Sequence, residues 1–140
     1  MDIEDIRRAV DRARQFTDTV ADSRVAVTLR VPTPHEAEVA AVRHLHTPEG
    51  RRNGAALVQT QRELLEQALV GWSGLRPADL LPPEALEDLT PEQRGEPLAY
   101  SAALVPLLLD AQPAWASQWW GRLLVRIEAR NRARDTAAKN

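Results

Sequence analysis

Two histidines near the middle of the chain, His44 and His46, have the residue type of metal ligands, because imidazole nitrogens bind zinc and related ions. On an α-helix, however, two residues two positions apart point about 200° away from each other, so they cannot bind one ion. The chain has no cysteine, which excludes disulfides, thiolate catalysis and cysteine-ligated zinc. We therefore predict no metal and no cofactor.

Acid–base or nucleophilic catalysis has no better candidate. His35 lies beside Glu36 and Glu38, but a role in helix capping already explains Glu36. Ser101 lacks the glycine-flanked elbow that exposes a catalytic serine.

The glycines and the acidic residues also lack the required spacing. No lysine and serine or threonine follow Gly71 and Gly74 at the positions of a phosphate-binding loop. The acids of residues 84–96 lack the alternating ligand pattern of a calcium loop. The sequence predicts a protein that is not an enzyme.

Four arginines near the C-terminus, Arg122, Arg126, Arg130 and Arg134, recur every four residues and form one ridge of a helix. From residue 121 onward the chain has six basic and two acidic residues, a net charge of +4, whereas residues 76–100 have a net charge of −4. The ridge predicts either contact with nucleic-acid phosphates or a helix that faces solvent or the chain's own acidic segment. Nucleic acid is the weaker alternative, because aromatic interleaving and a binding motif are absent.

Three tryptophans fall within two turns of the same helix. Trp115 and Trp119 are one turn apart and share a face with Leu123 and Ile127, which predicts a core position. Trp120 points about 100° away, so the sequence leaves core and interface open for it. The residues that we predict to bind a partner are Trp119, Trp120, Arg122, Arg126 and Arg130.

These residues must be positioned by secondary structure. Apolar spacing predicts a helix from Ile3 to Arg14. Alternating residues 25–31 predict a strand that pairs with 16–20 as a hairpin, with Asp22 and Ser23 in the turn.

Two further helices follow the hairpin. Thr33, Pro34 and Glu36 form a capping box, so a helix should run to about His46, with Ala37, Ala41, Val42 and Leu45 inward. A loop should precede the second helix, from Ala55 to Val70, with Leu57, Leu64, Leu65, Ala68 and Leu69 as its apolar stripe.

A hinge is predicted where this second helix ends. Gly71 should be the helix C-cap, with Trp72 and Gly74 completing the hinge. Residues 75–99 should form an acidic, proline-rich connection with one short helix, Pro83–Leu89.

The C-terminal part, residues 101–134, should contain two helices. Ser101 caps a short helix through Leu109, kinked at Pro106. Pro113 opens the last helix, to about Arg132, and the final residues should fray. The predicted fold class is mainly α, a single domain of residues 1–140 with a small N-terminal β-hairpin.

The order of these pieces resembles the small tail assembly chaperones of long-tailed bacteriophages and prophages. The stretch "VTLRVPTPHEAE", Val27–Glu38, resembles a strand–proline–threonine–helix opening common in that group. The other residues at positions of the family pattern are Trp72, Gly74, Gly95, Pro97, Tyr100, Ser101, Leu104, Leu107, Leu108 and Pro113.

The resemblance implies a non-enzymatic chaperone in the cytoplasm of the bacterial host. It would bind the tape measure protein, recruit tail tube protein and be absent from the mature virion. A homo-oligomer is a further expectation, and no membrane partner is expected, because no apolar run is long enough to span one. The alternatives are a tail completion or connector protein retained in the virion, and a small nucleic-acid-binding or regulatory protein.

The resemblance also implies a longer form made by programmed frameshifting. The chain has 17 arginines and one lysine, Lys139, a bias typical of a GC-rich gene. Ala138, Lys139 and Asn140 can be encoded as GCA AAA AAC, which contains the slippery heptamer A AAA AAC. An ordinary polar tail is the alternative.

Overall fold

The computed structural model describes residues 1–21, 23–45 and 54–139. Their mainly helical fold, with a small antiparallel sheet, confirms the predicted fold class. In chain order the elements are α1 (Ile3–Ala13), β1 (Gln15–Thr19), β2 (Ala26–Arg30), α2 (Pro34–Leu45), α3 (Gly54–Ala68), β3 (Leu69–Ser73), α4 (Pro77–Leu80), α5 (Pro83–Leu86), α6 (Pro91–Gly95), a 3-10 turn (Ala102–Leu104), α7 (Val105–Ala111) and α8 (Pro113–Lys139).

The sheet has the strand order β1-β2-β3. The predicted hairpin is confirmed, since β1 pairs antiparallel with β2 and Phe16 lies opposite Leu29. The third strand was not predicted: β3 pairs antiparallel with β2, with Trp72 opposite Val27. β2 is therefore the central strand, and its backbone groups are paired on both sides.

One face of the sheet forms the core. Val25, Val27 and Leu29 are at most 1% exposed, as their alternation predicts. They belong to one apolar cluster with residues of the packed helices: Leu65 and Ala68 of α3, Val105, Leu108 and Leu109 of α7, and Trp119 and Leu123 of α8.

The segment between α6 and the 3-10 turn is hydrogen-bonded to β3 and to the residues just after it. Leu98 N–H donates to the Leu75 carbonyl at 2.8 Å, and the Trp72 indole N–H donates to the Leu98 carbonyl at 2.9 Å. The Tyr100 hydroxyl donates to the Leu69 carbonyl at 2.9 Å, and its ring meets that of Trp72 edge-on at 4.8 Å. We call residues 98–100 the strap, because they bind the Leu69 carbonyl and the Trp72 indole of β3 and the Leu75 carbonyl just after it.

The predicted hinge is wrong. The helix ends at Ala68, and Gly71 and Trp72 lie inside β3, so Gly71 is not a helix C-cap. The stretch 69–71 includes a register irregularity opposite Thr28 and Leu29. Of the three hinge residues only Gly74 has the left-handed backbone that a turn requires, with φ of 74°.

The capping box of α2 is confirmed by two bonds: Glu36 N–H donates to the Thr33 hydroxyl at 3.0 Å, and Thr33 N–H donates to the Glu36 carboxylate at 2.9 Å. The inward faces of α2 and α3 were predicted less well. Val42 of α2 and Leu57 of α3 are about half exposed. Ala40 of α2 and Ala56 and Thr60 of α3 are buried instead. Asp22, His46 and the loop before α3 lie outside the described residues.

The acidic connection contains three short helices instead of one, and each begins with a proline at its first position.

Pro106 does not kink a helix, because it lies in the first turn of α7, directly after the 3-10 turn. There its missing N–H breaks no helical bond. The last helix extends to Lys139 instead of fraying near Arg132; Asn140 lies outside the described residues.

Replacing Gly74 with alanine should destabilise the fold, because the new Cβ would lie 2.2 Å from the Arg24 carbonyl oxygen at a positive φ. We expect a loss of at least about 2 kcal/mol in the free energy of unfolding. Gly121→Ala is the matched control: nothing lies within 4 Å of its Cβ position, and alanine in a helix should stabilise by about 1 kcal/mol. Urea denaturation measures both. Equal effects of the two substitutions would contradict the assigned turn.

Tyr100→Phe tests the strap, because it keeps the ring beside Trp72 and removes only the hydroxyl that bonds to Leu69. We expect a loss of about 1 kcal/mol. Trp72→Ala removes the ring and the bond to Leu98 together and should cost about 3 kcal/mol. Thermal unfolding measures both, and a wild-type melting temperature for Tyr100→Phe would show that this bond does not hold the strap.

Candidate partner-binding surface

The apolar face of α1 is exposed. Ile3, Ile6 and Val10 are 74%, 53% and 54% exposed, and no residue of α1 is buried. Spacings of three and four residues place them on one side of the helix, while Arg8 and Arg12 point to the opposite side. We call Ile3, Ile6 and Val10 the α1 stripe. It is an ordered apolar seam that no other part of the described chain covers.

Local interactions explain why α1 forms without packing on the core. Asp2 and Asp5 make a reciprocal capping box, with N–H to carboxylate distances of 2.8 and 3.2 Å. Arg7 pairs with Glu4 one turn earlier, at 2.9 Å. The helix therefore does not need its apolar face for its own formation.

A cluster of four charged residues holds the C-terminal end of α1 against the sheet and α2. Arg14 pairs with Asp11 at 2.8 Å and with Glu36 at 2.9 Å, and Arg30 lies 3.5 Å from Glu36. Val31 N–H also donates to the Arg14 carbonyl at 2.9 Å. We call Asp11, Arg14, Arg30 and Glu36 the charge cluster. It determines the direction in which α1 leaves the domain.

The charge cluster shifts the acidity of its members. Burial would raise the pKa of Glu36, but hydrogen bonds from Thr33 and Arg14 outweigh it, so that pKa lies below its usual range. Burial likewise opposes the charge of Arg14, yet its bonds to Asp11 and Glu36 raise its pKa. Glu36 and Arg14 therefore each keep their charge over a wider pH range in the folded chain than in the unfolded chain.

The predicted arginine ridge contacts the chain's own N-terminal hairpin, not its acidic connection. Arg122 lies 3.9 Å from Asp18, and the Arg126 guanidinium lies 3.9 Å above the Phe16 ring. Arg130 donates to the Pro32 carbonyl. Arg122 and Arg126 dock α8 on the hairpin, and Arg130 docks it on the segment before α2. Of the alternatives that the sequence left open, contact of these three arginines with the acidic segment is therefore contradicted.

Trp119 was predicted to bind a partner and cannot do so in this fold, because it is fully buried. Its predicted core position is confirmed, and Trp115 packs beside it with ring centroids 6.1 Å apart. Trp120 is half-buried and lines a groove of about 190 Å³ between α3 and α8, together with Val58 and Leu65. Its role as a partner contact stays a prediction.

The α1 stripe was not identified from the sequence as a candidate binding surface. The sequence showed its apolar periodicity, but the same periodicity is typical of a helix packed on its own core. A usable signal was the self-sufficient capping of α1. A helix that is capped at its start and anchored at its end does not have to bury its apolar face to form.

Comparisons with protein-family models, curated proteins and solved structures found no match. Within the described ranges, no group of three histidine, cysteine, aspartate or glutamate residues could hold a metal ion. No helix in that part of the chain is both long and apolar enough to cross a membrane. His44 lies 3.6 Å from the carboxylate of Glu63, and this contact links α2 to α3.

Glu36→Gln should make stability less dependent on pH. Because the folded-state pKa of Glu36 is lowered, its charge stabilises the fold above about pH 4.3, its unfolded value. That stabilisation is lost as the pH falls through the folded-state pKa. We expect Glu36→Gln to lower the melting temperature at neutral pH, with the gap to wild type closing in acid. Glu38→Gln, an exposed change on the same helix, should show no such gap. A gap that persists unchanged in acid would contradict the charge cluster.

Proposed function

We propose that this protein is a non-enzymatic binding protein that captures a helical partner on the α1 stripe. The observation that carries the proposal is the exposure of Ile3, Ile6 and Val10 on a capped, anchored helix. A helix with an apolar seam is complementary to an apolar seam on another helix. The spacing of three and four residues is that of a coiled-coil seam.

The size of the seam predicts the kind of partner. Burying three aliphatic side chains contributes about 1.5–3 kcal/mol each before the costs of association, so one contact alone is weak. A partner with many repeated seams, engaged by many copies of this chain, would bind firmly through avidity. A long helical protein fits this requirement better than a compact globular one.

The partner that we propose is a phage tape measure protein. The support is the resemblance to tail assembly chaperones, whose partner is long and helical. The family motif residues Trp72 and Tyr100 contact each other at the strap, so we assign them to the fold, not to the partner. Recruitment of tail tube protein, action in the host cytoplasm and absence from the mature virion belong to the same proposal.

Two alternatives differ from this proposal in simple measurements. A tail completion or connector protein would be present in purified particles. A nucleic-acid-binding protein would bind DNA or RNA with strong salt dependence. Arg122 and Arg126 of the ridge contact the chain's own hairpin, so these two are less available for phosphates than the sequence suggested.

Ile6→Ser tests the α1 stripe, and Arg8→Ser is the matched control that introduces the same residue into the same helix on its charged side. Both positions are exposed, so both variants should fold like the wild type. Each would be co-expressed with a candidate tape measure protein, a long helical protein sought among the neighbouring genes, and recovered by pull-down. We expect Ile6→Ser to reduce capture roughly tenfold or more and Arg8→Ser to leave it near wild type.

Equal capture by the two variants would reject the α1 stripe as the contact. Failure of the wild type to capture the long helical protein would reject the tape measure protein as the partner. Circular dichroism of both variants establishes that a loss of capture is not a loss of folding.

A further inference from the structure

A cleft of about 450 Å³ lies where the end of the arginine ridge passes the beginning of α2. Pro34 and Ala37 form its α2 side. On the α8 side it is lined by Ile127, Arg130, Asn131, Arg134 and Asp135. Two guanidinium groups and one amide thus share an open space with a single carboxylate.

Arg130 lacks a counter-ion. Its Nη1 donates to the Pro32 carbonyl, and its Nη2 lies 3.5 Å from Asn131 Oδ1. Its Nε is buried without a hydrogen-bond partner. No carboxylate in the described residues comes within ion-pair distance of this guanidinium.

The charges around Arg130 are mostly positive. Burial, and then the charges of Arg134 and Arg14, lower the pKa of Arg130. Arg14 is already neutralised by Asp11 and Glu36, so those carboxylates are engaged elsewhere. Asp135 is the remaining acid at the cleft, and it forms no ion pair with Arg130 or Arg134 among the described contacts. An added anion would offset the repulsion between the Arg130 and Arg134 guanidinium groups, which no carboxylate of the described residues neutralises.

We infer that this cleft binds a phosphate group, held by the guanidinium groups of Arg130 and Arg134 and by the Asn131 amide. Guanidinium groups match the oxygens of phosphate in a bidentate geometry. A phosphate monoester with two negative charges offsets both arginines, whereas a carboxylate or one nucleic-acid backbone phosphate carries a single charge. A small phosphorylated molecule is therefore the source that the charge balance favours, and a nucleic-acid backbone is the other source that the test distinguishes.

The test is a titration of the full chain with inorganic phosphate. Binding is measured from the NMR signals of the arginine Nε–H groups and from the melting temperature. Sodium chloride at matched ionic strength controls for general screening. Arg134→Gln removes one exposed guanidinium from the cleft, and Arg132→Gln removes one from the opposite side of the same helix. We expect saturable binding that Arg134→Gln weakens roughly tenfold and that Arg132→Gln leaves unchanged.

Equal responses to phosphate and chloride, or equal weakening by the two substitutions, would overturn the inference. Two competitors identify the source. Displacement of phosphate by a DNA duplex without terminal phosphates, sensitive to Arg134→Gln only, supports a backbone phosphate. No displacement by that duplex supports a small phosphorylated ligand. Displacement by an oligoglutamate peptide at lower concentration than phosphate would overturn the choice of phosphate over carboxylate. None of these outcomes depends on the α1 stripe, so this inference and the proposed function fail separately.

Discussion

The pairing of β3 with β2 is the constraint on which the rest of the fold depends. The hairpin of β1 and β2 alone would leave one side of β2 without backbone partners, although Val27 and Leu29 of β2 are buried in the core. Residues 69–73 supply the missing backbone groups. Their position sets where α3 must end, and it places the apolar side of α3 over the sheet. The strap then ties β3 and the residues just after it to the segment before α7 through the Leu69 and Leu75 carbonyls.

The elements that depend on residues close to one another in sequence were predicted correctly. The strand β3, which depends on a partner strand far away in sequence, was not predicted. The capping box at Thr33, the alternation of β2 and the face shared by Trp119 and Leu123 all follow from residues within a few turns of one another. The residues of β3, in contrast, continue the apolar spacing of α3. They form a strand because β2, some forty residues earlier, offers unpaired groups, and strand formation depends strongly on such context.

The candidate binding surface also could not be predicted from local spacing alone. Apolar spacing identified the face of α1 that Ile3, Ile6 and Val10 share, but spacing is the same for a face that is buried and for one that is open. The large aromatic residue Trp119, predicted as a contact, is instead fully buried, like Leu123 of the same helix. The arginines were correctly placed on one ridge, yet their nearest partners are a ring, a carbonyl and a carboxylate of the chain's own hairpin and α2 entry.

The distribution of apolar side chains favours weak, repeated binding over a single tight contact. The domain buries the large aromatic ring of Trp119 in its core and leaves only aliphatic side chains, those of Ile3, Ile6 and Val10, in the seam of α1. A seam without an aromatic anchor lacks the usual source of a binding hot spot. Because the charge cluster holds one end of α1, little ordering of the helix itself is needed on binding, which lowers the entropic cost of each contact. A preformed but shallow seam of this kind would release a partner readily when copies dissociate one at a time, as the proposed role of a chaperone that leaves the finished assembly requires.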